Sequence, residues 1–195
     1  MTEAEPIGGR RIAIYGSTGS GKSSLGAEAA RLLELPQLDL DVVHWLPGWE
    51  EKPRKQFRAD VGEWLDARAG GWVCTGNYIS IVGDLVMAQA DTVVWLRLPF
   101  PLVFLRLLRR TWKRSSSWEL MWGNNHESFR KGFMSRDSIL LWCITHWRAH
   151  HRRMRAALAE HADGTEVVVL RSPRAVRAWL ADVARLDPSR QAAIH

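Results

Sequence analysis

At 195 residues with 46% apolar side chains, the chain has the length of one domain and enough apolar material for a substantial core. No apolar run approaches the roughly 20 residues that span a bilayer, and Met1 to Gly9 is polar and acidic without the apolar centre of a secretory leader, so a cytoplasmic protein that does not enter a membrane is expected. The 27 lysines and arginines against 21 acidic residues leave a net charge of +6, which points to an anionic partner; nucleotide phosphates would satisfy it, and so would nucleic acid.

In chain order, the first strand is expected at Arg11–Tyr15 and its helix from Lys22 to Glu34, ended by Leu35-Pro36. Gln37 to Leu40 reads as a second strand with Asp41 at its C-terminal end, and Val42 to Trp49 as a loop rich in rings. Phe57, Val61, Trp64 and Leu65 recur at helical spacing in a helix from Arg54 to Arg68. A third strand, Trp72–Thr75, leaves through Gly76-Asn77-Tyr78; a short helix covers Ile79 to Ala88, and the fourth strand, Thr92–Leu96, is the continuous apolar run of a strand buried on both faces. Phe100 to Trp112 is a helix that turns basic. Residues 113–137, polar and weakly periodic, read as a partly helical insertion within one domain spanning 1–195. A long helix from Ser138 to Glu160 carries Leu140, Leu141, Ile144 and Trp147 as its apolar face; Glu166–Leu170 is the fifth strand, and Ser172-Pro173 opens the last helix, with proline suited to its first turn. Alternating strands and helices make a parallel α/β sheet covered on both sides.

Between the first strand and its helix stands Gly16-Ser17-Thr18-Gly19-Ser20-Gly21-Lys22-Ser23, followed by Ser24: glycine, four residues, Gly-Lys-Ser, in strand-loop-helix context. Glycines let such a backbone wrap a polyphosphate, several N–H groups turn inward, and the helix adds its positive end. Lys22 is expected to reach the β- and γ-phosphates of ATP and the Ser23 hydroxyl to ligate Mg2+.

Ligands of parallel sheets collect at the C-terminal strand ends, where this loop, Asp41, Gly76-Asn77-Tyr78 and Arg97-Leu98-Pro99 converge. Asp39 and Asp41 lie two apart, on one face of a strand. Asp41 is a candidate to orient or deprotonate an acceptor hydroxyl and Asp39 to hold magnesium; either could instead cap a loop. Arg106, Arg109, Arg110 and Arg114 could cross to the polyphosphate when the insertion closes, or form a solvated basic face. His44, Trp45 and Trp49 could stack on an acceptor or only pack their loop, while Trp112, Trp118 and Trp122 lie in polar surroundings suited to a pocket or a mobile segment. His146 and His150 have metal-ligand spacing without an obvious third ligand, so their basic helix reads as a solvated face. Cys74 and Cys143, in apolar surroundings, read as buried free thiols.

On Gly16 to Ser24, Leu38-Asp39-Leu40-Asp41 with His44-Trp45 and Pro47-Gly48-Trp49, Gly76-Asn77-Tyr78, Arg106, Arg109 and Arg110, Trp122-Gly123-Asn124-Asn125 with Glu127, and Arg171-Ser172-Pro173, the chain resembles adenylate-kinase-related small P-loop proteins of the DNA topology modulation family, within the nucleotide and shikimate kinase group. The resemblance implies a three-layer P-loop fold of strand order 2-3-1-4-5 with a closing lid, and an adenine bordered by Ser172 and Pro173. Thr75 stands where relatives of this subgroup often carry Asp, which places more weight on Asp39 or Asp41 for magnesium, and no adenylate-kinase Asp-Gly-Phe-Pro-Arg motif is present. The function expected is transfer of the γ-phosphoryl of ATP to a nucleoside monophosphate or hydroxylated metabolite, with Lys22, Asp41, Arg106 and Arg110 catalytic, by a monomer or homodimer; the alternative is a nucleotide-binding regulator of DNA topology that contacts DNA through its basic helices.

Overall fold

The computed structural model describes residues 9–117, 120–121, 125–126 and 139–186. Its main sheet joins five parallel strands: β1 (Arg11–Gly16), β2 (Gln37–Asp39), β5 (Trp72–Thr75), β6 (Thr92–Leu96) and β9 (Glu166–Leu170). They run in the order β2-β5-β1-β6-β9, which is 2-3-1-4-5 when only these five are counted. Four two-residue strands stand apart in two antiparallel hairpins: β3 (Trp45–Leu46) with β4 (Glu50–Glu51), and β7 (Leu120–Met121) with β8 (Asn125–His126).

Successive strand residues point to opposite faces, and the central strands show what that does. From β1, Ile12 and Ile14 join a core with α1 (Lys22–Leu33) and α7 (Pro173–Arg185), whereas Ala13 and Tyr15 join a core with α3 (Arg54–Asp66), α4 (Ile79–Gln89) and α6 (Ile139–His161). Each fully buried side chain of this size stabilises the fold by about 1.5–3 kcal/mol. β6 is buried along its whole length, as a central strand flanked by two others must be. Gly26 lets α1 lie close on the sheet: a Cβ there would stand 2.2 Å from the Thr75 Cγ2.

Two expectations are corrected. The second strand ends at Asp39, and Asp41 lies in the first turn of a short helix, α2 (Leu40–His44), so the two aspartates do not share a strand face. The Asp39 carboxylate accepts the Asp41 N–H at 3.1 Å and caps that helix, which is the local reason the strand stops. The buried face of α6 is the stripe Cys143, His150, Met154 and Ala157, while Leu141 and Ile144 are 46% and 51% exposed. The helix has apolar residues on two sides near its start, and only the stripe that persists over its length meets α4 and the sheet. The basic helix α5 (Phe100–Ser117) runs five residues beyond the expected Trp112. The side chain of Arg114, and Trp118, Trp122, Gly123, Asn124, Glu127 and the rest of the insertion apart from its hairpin, lie outside the described residues. Cys74 and Cys143 are buried free thiols.

Candidate functional site

The loop between β1 and α1 is shaped by two glycines in the left-handed region, Gly19 (φ +83) and Gly21 (φ +93). Gly19 has a second constraint: a Cβ there would lie 2.9 Å from the Leu107 Cβ and 3.0 Å from the Val103 carbonyl oxygen. Helix α5 therefore lies directly on the loop. Gly21 precedes α1 without a side-chain cap, so the first-turn N–H groups of α1 remain open to a ligand. The hydroxyls of Ser17 and Ser20 are buried and have no hydrogen-bond partner among the described residues. On the other side of the loop, the Gly16 N–H donates to the Asn77 side-chain oxygen at 3.3 Å, tying the loop to the exit of β5.

A cleft of about 570 Å³ opens over this loop. Gly19, Ser20, Gly21, Lys22, Ser23 and Ser24 form its floor. Asp41, Arg106 and Arg110 stand at its polar side, and Arg106 donates to the Ser20 carbonyl at 3.2 Å. Leu96 and, from the last helix, Pro173, Val176, Arg177 and Leu180 close it. Ser172 caps that helix, its hydroxyl accepting the Ala175 N–H at 3.1 Å. Arg109 is exposed on α5 and is not among the residues lining the cleft, because neighbours on a helix point about 100° apart. Gly16, Ser17 and Thr18 shape the loop from behind, with Gly16 and Ser17 buried.

Two carboxylates, Asp39 and Asp41, border the loop. Burial and the neighbouring Asp41 raise the Asp39 carboxyl above its ordinary range, while a hydrogen bond from Ser23 and the charge of Lys22 act the other way. Asp39 and Ser23 are thus a carboxylate and a hydroxyl in contact, a donor set that suits a hard cation such as magnesium. Asp41 accepts a hydrogen bond from the Tyr78 hydroxyl at 2.8 Å. Burial and the Asp41 charge push the Tyr78 phenol well up, so it stays a neutral donor.

His44 is buried and packs its ring on Tyr78 (4.4 Å between centroids) and Phe57 (5.0 Å), which places it in the loop's own core. Burial lowers its affinity for a proton. Trp45 and Trp49 are half-buried and meet edge to face at 5.6 Å in the β3–β4 hairpin, and β8 of the insertion approaches the Pro47–Trp49 turn beside them. Trp112 is exposed and lines neither this cleft nor the second one described below. Among the described residues no group of three or more His, Cys, Asp or Glu is placed to hold a metal. His150 is buried, so this side of the helix is not the solvated face expected of it. Among the described residues no helix is long and apolar enough to cross a membrane.

The sequence reading passed over Asn77 and Tyr78 as site residues although it placed both at the right sheet edge; a polar pair at a strand exit is the signal that could have found them. Val176, Arg177 and Leu180 carry no such signal, since their spacing is that of any amphipathic helix.

No protein-family model matches the chain. It is 27% identical over 152 residues to the uncharacterized protein YqaC of Bacillus subtilis strain 168, covering 78% of this chain and 81% of that one. Among solved structures, a gluconokinase from Sinorhizobium meliloti 1021 superposes with a TM-score of 0.52 at 21% identity, over 98% of this chain and all of that one. A shikimate kinase from Acinetobacter baumannii in complex with shikimate aligns at 16% identity and a TM-score of 0.49, over 92% and 93%. At 21% identity the likeness to the gluconokinase is one of architecture: the chain shares its α/β fold, a five-stranded parallel sheet with helices on both sides.

Proposed function

We propose that the protein is an ATP-dependent phosphotransferase acting on a small hydroxylated acceptor, a nucleoside monophosphate or a hydroxylated metabolite. The observation that carries this reading is the meeting, in one cleft, of the phosphate-binding loop with Asp41, Arg106 and Arg110. A loop alone would hold a nucleotide; an arginine pair and a carboxylate facing it supply what transfer needs in addition.

Each residue then has a task. The open N–H groups of α1, the two buried serine hydroxyls and Lys22 hold the polyphosphate. Pro173, Val176 and Leu180 offer an apolar wall for the adenine, with Ser172 fixing the helix that carries them. Ser23 and Asp39 would hold Mg2+, which when bound would offset the negative charge of the polyphosphate. Asp39 pairs in register with Thr75, so a carboxylate stands one strand over from the position where β5 carries a hydroxyl. Asp41 orients the acceptor hydroxyl and takes its proton as the new P–O bond forms and the bridging P–O bond to ADP breaks. Tyr78 keeps Asp41 in place through its hydrogen bond. Arg106 and Arg110 face the oxygens on which negative charge accumulates. Approach of β8 to the Pro47–Trp49 turn supports closure over the acceptor, which would keep water from competing.

Incubation with Mg-ATP and a panel of nucleoside monophosphates, sugar acids and hydroxy acids is expected to release ADP only with particular acceptors. A flat response across the panel contradicts the proposal. A second reading is nucleotide-dependent action on DNA, as the motif resemblance to DNA topology modulation proteins implies; its support is the net charge of +6. It predicts affinity for duplex DNA that responds to ATP and falls steeply with salt. It is the weaker reading, because it leaves Asp41 and the arginines over the phosphate loop without a task.

A further inference from the structure

The residue after Leu96 turns the other way. Leu96 lines the phosphate cleft, but Arg97 lines a second, open trough on the opposite side of the sheet's C-terminal edge, and Arg171 and Pro173 divide in the same manner after β9. The trough, about 720 Å³, is bounded by the β6–α5 turn and one side of α6, and falls within the roughly 300–1,000 Å³ of small-ligand sites.

Five arginines enter it: Arg97, Arg171 and, from α6, Arg148, Arg152 and Arg155. The last three follow one another at four and three residues, a single stripe along about 10 Å of helix. Among the described residues no acidic side chain lines the trough and none of the five arginines forms an ion pair. Such a concentration of one charge repels itself and destabilises the free protein, so it fits a polyanion. Arginine forks match phosphate oxygens in particular.

Rings stand among the charges. Phe100, Trp147 and His151 line the same trough, half-buried, with Trp147 meeting Phe100 edge to face at 5.1 Å and His151 at 4.6 Å. His151 is held neutral by burial and by the charges of Arg97 and Arg155, so it adds a flat surface rather than further charge. Arginines interleaved with partly exposed rings are the means by which proteins hold a phosphate and stack on its base at once.

We propose that this trough is a second binding site, separate from the phosphate loop, for a ligand of the nucleotide class: phosphate joined to a stacking base, presented either as a free nucleotide or as a unit of single-stranded nucleic acid. The proposal stands whether or not the first cleft transfers phosphate.

The test is a titration at low salt of the full chain, with the first cleft empty and again with it filled by a non-hydrolysable ATP analogue and magnesium. The probes are a six-residue oligodeoxythymidylate, thymidine 5′-monophosphate and inorganic tripolyphosphate. Binding of a base-bearing probe that persists with the first cleft filled, and that is tighter than binding of tripolyphosphate, is the expected result. Preference for the oligonucleotide identifies a strand as the source, and preference for the monophosphate identifies a free nucleotide; both support the proposal. The paired change Arg152→Ala and Arg155→Ala, both at exposed positions, is expected to weaken binding at least tenfold without lowering the melting temperature. Trp147→Leu is expected to weaken the base-bearing probes and leave tripolyphosphate unchanged. The proposal is overturned if no base-bearing probe binds once the first cleft is filled, if tripolyphosphate binds as tightly as they do, or if the arginine pair can be removed without effect.

Discussion

The two clefts at the C-terminal edge of the sheet are both basic, yet they are made differently. The phosphate cleft is made mostly of backbone: left-handed glycines, an uncapped helix start, a carbonyl that anchors Arg106, and carboxylates close by. The arginine trough draws its charges from the turn after β6, from α6 and from the residue after β9, with no carboxylate among its described lining residues. Backbone geometry has to be encoded in consecutive residues, so it leaves a pattern. Side chains from three separated segments meet only through the fold, and their charges look in sequence like any solvated basic helix. A carboxylate near the phosphate loop also fits a site where a proton and a cation are handled.

Changes in the first cleft should therefore abolish turnover, and changes behind it should erode stability or rate by degrees. Lys22→Ala has the largest expected effect. Loss of one charge aimed at the transferring phosphoryl should lower turnover by about 10²–10³-fold or more, with the melting temperature unchanged, since Lys22 is only half-buried at the start of α1. Asp41→Asn comes next: removing the proton acceptor should lower kcat by about 10²–10⁴-fold, read from steady-state kinetics once an acceptor is known. If instead only KM rises, Asp41 binds the acceptor and does not take its proton.

The third change acts on stability through pH. Burial above all, with the charges of Lys22 and Arg153 nearby, lowers His150 to about 4 from an ordinary value of 6.5. The unfolded chain then binds a proton that the folded chain refuses, so stability falls as pH drops from about 6.5 toward 4, by up to about 3 kcal/mol. Denaturant melts across that window should show the fall, and His150→Leu should flatten it. Gly19→Ala should destabilise by about 1–3 kcal/mol, because alanine cannot rest at φ +83 against Leu107 without strain. At this size that lowers the melting temperature by roughly 2–4 °C per kcal/mol, and nucleotide affinity should fall with it. Tyr78→Phe is the smallest: losing one hydrogen bond to a carboxylate should reduce kcat by about tenfold while leaving nucleotide affinity intact.

Much of the fold was readable in advance for the same reason that the first cleft was. The strands Trp72–Thr75 and Thr92–Leu96 stand where their apolar runs place them, because a strand buried on both faces must be apolar throughout, and Glu166–Leu170 stands at its expected place as the half-exposed edge of the sheet. The two-residue spacing of Asp39 and Asp41 suggests one strand face, but a side chain that captures the N–H two residues on ends the strand, and periodicity alone does not show that capture. The buried face of α6 was misread because the contacts that select between two apolar stripes come from α4 and the sheet, far away in sequence. Arg109 illustrates the same limit: spacing put it beside Arg106 and Arg110, but only the seat of α5 on Gly19 decides which of the three look into the cleft.

The most direct test of the central claim, that the loop from Gly16 to Ser23 is built to hold the polyphosphate of ATP, is the melting temperature of the protein titrated with Mg-ATP, beside the Lys22→Ala protein. At a hundred times the dissociation constant, binding to the folded state should add about 2.7 kcal/mol. That is a rise of several degrees in the native protein, sharply reduced in the variant. If neither the melting temperature nor the tryptophan emission responds to saturating Mg-ATP, or if the variant responds as the native protein does, the assignment of the loop is contradicted and the transfer chemistry built on it falls.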